Sequence, residues 1–152
     1  MEIGGIARDA NGLWMEQIAR NLTDADAGIL HGKKYLIHDR DPLFTDTFLG
    51  MLAAAGVESV KLPPKSPNLN AYAKRFVRTI KESCLEKMIW FGEDALRKGV
   101  QEFMAHYHRE RNHQGLENRL IQAEGGHLGA TGEIQQRQRL GGLLNYYYRK
   151  AA

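Results

Sequence analysis

The stretch KYLIHDRDPLFT, residues 34–45, decides the fold. Its first part, Lys34 to His38, is a short apolar run that ends abruptly in an acidic turn containing a proline. This pattern is typical of a buried strand whose carboxyl end carries carboxylates, where α/β sheets place functional groups. Asp39 and Asp41 therefore indicate either a site for a hard divalent cation such as Mg²⁺ or a turn stabilised by its own aspartates.

Helix and strand signals continue on both sides of this stretch. Asn11 is a plausible N-cap, Thr45 or Asp46 is another, and Gly56 is a typical helix terminator. The order of elements is strand, helix, strand, helix, strand and then helices, which predicts an α/β domain. The predicted elements of this half are a strand at Glu2–Arg8, a helix to about Leu22, a strand at Lys34–His38, a helix ending near Gly56 and a strand at Val57–Leu62.

The second half of the chain has the periodicity of two amphipathic helices. The first is expected to be the longest, and the second spans Glu93–His108. A polar segment from His106 to Arg119 follows. We expect a core domain at residues 1–121 and a helical C-terminal extension at 122–152 whose structure the pattern does not define. The apolar stripe of the first helix comprises Ala73, Phe76, Val77, Ile80, Cys84 and Met88.

The composition excludes several classes of protein. With 152 residues, 43% hydrophobic and 26% charged, the chain fits one globular domain and not a disordered or collagen-like protein. The longest apolar stretch, Phe48 to Val57, is shorter than the roughly 20 residues that span a bilayer. No signal-peptide pattern is visible, and Cys84 cannot form an internal disulfide. We therefore expect a cytoplasmic protein without a membrane partner.

Positive charge is concentrated in one segment, although the net charge is only +3. Residues 61–81 hold six basic side chains and no acidic one. Such a stripe either contacts the DNA backbone, which is the salt-sensitive and sequence-independent part of binding, or is a solvated helix face. The absence of acidic residues from this segment, together with the resemblance described next, favours DNA contact by Lys61, Lys65, Lys74, Arg75, Arg78 and Lys81.

Four motifs occur in a telling order: HDRDPLFT at 38–45, PKSPNLNAYA at 64–73, RFVRTIK at 75–81 and YHRERNHQGL at 107–116. Together they resemble the integrase catalytic core, the Asp-Asp-Glu recombinase domain of insertion-sequence transposases and retroviral integrases. The resemblance covers about residues 1–121. It implies a ribonuclease-H-like fold, DNA as the partner, and two Mg²⁺ ions that activate water or a DNA 3′-hydroxyl for attack on a phosphodiester.

The resemblance also implies which positions belong to the catalytic triad. Asp39 matches the second Asp and would be a metal ligand, and Lys74 occupies the position of the Glu. The first Asp belongs to a strand before Glu2, so we expect an N-terminally truncated core. One carboxylate cannot hold two cations, and the expectation is that Mg²⁺ is not bound productively. A lysine at position 74 could instead contact phosphate.

Two functional interpretations follow from these residues. The first is a transposase or integrase-type recombinase core that is inactive as it stands, and the alternative is a non-catalytic DNA-binding or protein-interaction module of the same origin. In the last motif, loop packing and phosphate contact by Arg109 and Arg111 are favoured over a zinc site at His108 and His113, since no cysteine lies nearby and the resemblance places this segment after the core. An exposed edge at Glu2–Arg8 would make a homo-oligomer possible.

Overall fold

The computed structural model describes residues 2–122 and 132–149. The chain divides into two compact units, one ending at Phe76 and the other beginning at Val77. Within the described residues, no helix has the length and apolar character needed to cross a membrane. The helices are α1 (Gly12–Thr23), α2 (Asp46–Ala54), α3 (Ala71–Ile80) and α4 (Glu93–Arg109), and the strands are β1 (Tyr35–His38), β2 (Glu58–Lys61), β3 (Ile134–Arg139) and β4 (Leu144–Arg149).

The helices of the first unit begin and end where local chemistry requires it. The side chain of Asn11 accepts a hydrogen bond from the amide of Trp14 at 3.0 Å and so caps α1. Thr45 caps α2 in the same way through the amide of Phe48, at 3.2 Å. Gly56 follows α2 with a φ of +79°, a conformation that glycine adopts without steric cost. These three predicted boundaries are confirmed.

The sheet of the first unit consists of two parallel strands. Leu36 pairs with Ser59 and His38 pairs with Lys61, which confirms the strands predicted on either side of α2. Parallel strands joined by a helix are the basic α/β unit. α1 and α2 pack together over this sheet, and their buried side chains with that of Val57 form the core: Met15, Ile18, Ala19, Phe48, Leu52 and Val57.

The strand predicted at Glu2–Arg8 is wrong. No residue of this segment pairs in a sheet, and a Cβ added at Gly5 would lie 2.6 Å from a terminal carbon of Ile18 and 2.9 Å from the Trp14 ring. The segment therefore lies close against α1, where glycine leaves room for these side chains. The edge proposed for self-association is thus not a strand.

The first helix of the second half is shorter than predicted. α3 ends at Ile80 and continues only as a single wide turn, Lys81–Leu85, in which the amide of Glu86 donates to the carbonyl of Lys81. The indole of Trp90 donates to the carbonyl of Leu85 at 3.0 Å. A continuing helix would give that carbonyl to a backbone amide, so the indole takes the place of a further helical turn after Leu85. The longest helix is α4, close to its predicted bounds.

The predicted helical extension is also wrong for residues 132–149. β3 and β4 form an antiparallel hairpin in which Gln136 pairs with Tyr147. Three residues of the intervening turn, Leu140, Gly141 and Gly142, have positive φ angles. The two glycines adopt this conformation without steric cost. Burial alternates residue by residue along both strands, and the β-forming tyrosines of β4 favour the hairpin.

A buried carboxylate attaches this hairpin to α4. The side chain of Glu110, at the end of the helix, is 1% exposed and accepts hydrogen bonds from Arg139 at 2.7 and 2.9 Å and from Arg137 at 3.2 Å. His106 lies 3.2 Å from the same carboxylate. Burial raises the pKa of Glu110, but hydrogen bonds from Arg139, Arg137 and His106 outweigh it and hold the pKa at about 2.

We expect Glu110→Gln to destabilise the second unit by about 3 kcal/mol at pH 7, because two arginines lose a buried counter-charge. Since the folded pKa lies below the unfolded one, this stabilisation is present above about pH 4.5 and is lost as the pH falls towards 2. Urea unfolding at several pH values measures both effects. The exposed Glu117→Gln is the control, and an unchanged acid dependence in Glu110→Gln would contradict the assignment.

Candidate nucleic-acid interface

The carboxyl ends of β1 and β2 open into a cleft of about 260 Å³ in the first unit. Because the strands are parallel, the loops that follow them meet at the same edge of the sheet. Asp39 comes from the first of these loops, Lys65 from the second, and Lys74 from α3. The complete lining is Asp39, Arg40, Leu62, Pro63, Pro64, Lys65, Ser66, Asn70 and Lys74.

His38 fixes the backbone beside this cleft. Its Nδ1 lies 2.7 Å from the carbonyl oxygen of Asp39, and because a carbonyl can only accept, Nδ1 carries the proton. Nε2 lies 2.7 Å from the hydroxyl of Ser59 on β2, and the imidazole packs on Phe44. The buried histidine thus ties the last residue of β1 to the neighbouring strand and orients the peptide of Asp39.

The two aspartates of the loop have different surroundings. The carboxylate of Asp39 accepts the amide of Asp41 at 3.2 Å but remains exposed at the cleft. Asp41 accepts the amide of Leu43 at 2.8 Å and is not among the residues that line the cleft. Asp41 therefore stabilises the turn, and Asp39 is the carboxylate that faces the open space.

Positive charge surrounds Asp39. Lys65 and Lys74, both predicted from the sequence, line the cleft with it. Sequence reasoning missed Arg40, whose Nε donates to the carbonyl of Leu62 at 3.1 Å and which forms part of the wall. Only its position next to Asp39 could have suggested this role. Lys65 has a φ of +56°, so a non-glycine backbone is held in the left-handed region at the cleft.

The other predicted DNA contacts lie elsewhere on the chain. Lys61 is exposed at the end of β2 and Arg75 is exposed on α3. In the second unit, Arg78 pairs with Glu82 at 2.7 Å and Lys81 is exposed in the wide turn. Arg109 is the last residue of α4 and is exposed. Arg111 lies just after the helix, packs its guanidinium on the ring of Tyr107 and lines a second cleft.

The residues of the first cleft do not fit the pair of Mg²⁺ ions that the sequence resemblance implies. Its lining contains three cations and a single carboxylate, whereas two-metal sites need several anionic oxygen ligands. In the described part of the chain, no group of three or more His, Cys, Asp or Glu side chains could hold a metal ion. The charge of the cleft suits an anion.

Added Mg²⁺ should therefore leave the melting temperature of the first unit unchanged. Lys74→Glu replaces a cation of the cleft with a second carboxylate, so this variant should gain a Mg²⁺-dependent rise. Lys33→Glu, which makes the same charge change at an exposed site outside the cleft, is the control. Differential scanning calorimetry with and without Mg²⁺ measures the shift, and millimolar or tighter Mg²⁺ binding by the natural sequence would contradict the conclusion that this cleft does not suit Mg²⁺.

Comparison with known protein families matches residues 55–120 to the family described as "Integrase core domain". The matched segment contains Lys65 and Lys74, and Asp39 precedes it. Comparisons with curated proteins and with solved structures returned no match. The family implies a ribonuclease-H-like fold, action on DNA and a general dependence on divalent metal, and the mixed helices and short strands agree with an α/β class. The integrase resemblance is confirmed for its last three motifs, which lie within the match, and residues 55–120 of this chain are those of an integrase core domain.

Proposed function

We propose that this chain is a DNA-binding module derived from a transposase catalytic core and that it does not carry out strand transfer by itself. The observation that supports this function is that Lys74 lines the same cleft as Asp39. The integrase resemblance puts Lys74 at the position of the Glu ligand. The cleft that would hold metal ions in an active relative therefore carries an ammonium in place of a carboxylate.

The charge of the cleft argues against two-metal chemistry. Such chemistry holds two cations about 3.5–4 Å apart across the scissile phosphate, and it needs carboxylates to offset their charge. Here Asp39 is accompanied by Arg40, Lys65 and Lys74. An ammonium in a ligand position repels a divalent cation, since like charges at short range are unfavourable. The same arrangement attracts a phosphate group.

The three cations offer two kinds of phosphate contact. Lysine acts as a compact point charge on a flexible stem, and the planar guanidinium of Arg40 can bind two phosphate oxygens at once. Contacts to phosphate do not depend on base sequence. The proposed binding is therefore sequence-independent and electrostatic, as expected for the part of a recombinase core that tracks the DNA backbone.

Exposed apolar side chains support a second candidate, a protein-interaction module. Tyr35 and Ile37 on β1 are 49% and 54% exposed, although the faces of parallel sheets are usually covered. This surface suits association with another protein and does not require DNA. Failure to bind DNA at low salt would favour this second candidate.

The first test is a titration of blunt duplex DNA at two or more salt concentrations. We expect binding whose logarithmic affinity falls linearly with the logarithm of salt concentration, because each phosphate contact releases counterions. Lys74→Gln should weaken binding and reduce the magnitude of the salt slope by about 0.9, the value for one phosphate contact. Lys33→Gln, an exposed lysine outside the cleft, should change neither. Salt-independent binding would contradict the proposal.

The second test is a divalent-metal-dependent nicking and strand-transfer assay on linear DNA. We expect no product from the natural sequence, and none from Lys74→Glu alone, because two carboxylates still leave one metal ion short of ligands. Asp39→Ala serves as the control for contaminating nucleases. Turnover by the natural sequence that disappears in Asp39→Ala would overturn the proposed lack of activity.

A further inference from the structure

The second unit contains its own cleft, of about 870 Å³, between the end of α4, the loop after it and β4. Its volume falls within the range of small-molecule and cofactor sites, about 300–1,000 Å³. Arg111 and Asn112 directly follow the helix, Asn118 comes from the loop and Tyr147 from the hairpin. The combination of a cation, two amides and an aromatic ring is the chemistry that recognises a nucleotide.

We propose that this cleft binds an unpaired nucleotide of single-stranded DNA, with the ring of Tyr147 stacked on the base and Arg111 on the phosphate. The inference rests on the proposed function only in taking DNA as the ligand, because the site, its residues and the form of DNA are different. Aromatic rings beside cationic side chains are the usual platform for single strands.

The walls of the cleft carry a net positive charge. Glu110 contributes a carboxylate, but Arg137 and Arg139 both bond to it, so it leaves no unmatched negative charge. Arg111 packs on the Tyr107 ring, with 5.7 Å between the guanidinium carbon and the ring centroid, and has no carboxylate partner in the part of the chain that the structure describes. Its charge is available to an anion.

Tyr147 is held in place and yet open to a ligand. Gln136 donates a hydrogen bond to its hydroxyl at 3.0 Å, while 63% of the residue stays exposed. Its neighbours Tyr146 and Tyr148 extend to the opposite face of the hairpin and stack on each other, with ring centroids 5.6 Å apart. Tyr146 also lines the cleft, but its ring is half-buried and stacked, so the exposed ring at the cleft is that of Tyr147.

The geometry favours an unpaired base over a duplex. Bases inside a duplex have both faces covered by their neighbours, so a ring in a concave cleft can stack only on a base that has left the helix. Asn112 and Asn118 are exposed and make no side-chain hydrogen bond within the described residues. Their amides can donate to and accept from a base edge. An acidic peptide would use Arg111 but would not need Tyr147.

The test measures fluorescence anisotropy of a labelled thymidine oligonucleotide of about twelve nucleotides. Tyr147→Ala should weaken binding roughly 5- to 100-fold, and Tyr147→Leu, which keeps apolar bulk on the strand, should weaken it similarly. Tyr147→Phe should stay within about twofold, because it retains the ring. Arg111→Ala should reduce the magnitude of the salt slope by about 0.7, the value for one phosphate of a single strand. Photocrosslinking of an oligonucleotide containing 5-iododeoxyuridine should label Tyr147.

Phe91→Ala and Lys98→Ala are matched controls, since both residues are exposed in the same unit and neither lines the cleft. The inference is supported if both control variants bind the single strand with unchanged affinity. It is also supported if Tyr147→Ala and the natural sequence bind a blunt duplex with equal affinity. The inference is overturned if Tyr147→Ala and Tyr147→Leu bind the single strand normally, or if Phe91→Ala loses as much affinity. It is also overturned if polyglutamate binds equally well with the same dependence on Tyr147.

The outcomes separate this inference from the proposed function. If Lys74→Gln weakens duplex binding while the Tyr147 variants leave single-strand binding unchanged, the proposed function stands and only the second site is refuted. If the chain binds no DNA of either form at low salt, both are refuted. Circular dichroism of each variant establishes that the hairpin has folded before its affinity is interpreted.

Discussion

A buried carboxylate must be matched by positive charge, and in the second unit this constraint determines how the hairpin is attached. Glu110 is at the end of α4, and the arginines that reach it, Arg137 and Arg139, are two positions apart on β3. Side chains two apart on a strand extend to the same face. The pairing therefore selects which face of the hairpin meets the helix, and the alternation along β4 then turns Tyr147 outward. The exposed position of the Tyr147 ring follows from this choice.

In the first unit, the carboxylate beside the cations is exposed and not buried. Asp39 is exposed, so solvent can satisfy its charge and burial does not force any cation to approach it. Arg40, Lys65 and Lys74 nevertheless line the same cleft. Surface ion pairs stabilise proteins by only about 0–1 kcal/mol, so folding alone gives little reason for three cations beside one exposed carboxylate. This excess of positive charge is the feature for which a phosphate ligand is the simplest chemical explanation.

Sequence reasoning succeeded where the cause of a structure is local. The caps at Asn11 and Thr45 and the terminator Gly56 are decided by neighbouring residues, and the strands beside them have short-range patterns. It failed where side chains outside the element decide: the indole of Trp90 bonds to the carbonyl of Leu85 in the wide turn after α3, and the contact between Glu110 and Arg139 spans 29 positions. At the site, the family resemblance paired Asp39 with Lys74, but no periodicity could reveal the wall formed by Arg40.

The hydrogen bond from Arg40 to the carbonyl of Leu62 joins the loop after β1 to the residue after β2. This bond uses only Nε, so the two terminal nitrogens of the guanidinium are available for another partner. An oxyanion bound to these two nitrogens would hold the Arg40 side chain in place. It would thereby strengthen the link between the ends of β1 and β2. Whatever binds the native cleft and not the unfolded chain shifts the folding equilibrium towards the folded form. The ligand would then contribute to the stability of the unit, and the unit would be most rigid when it is occupied.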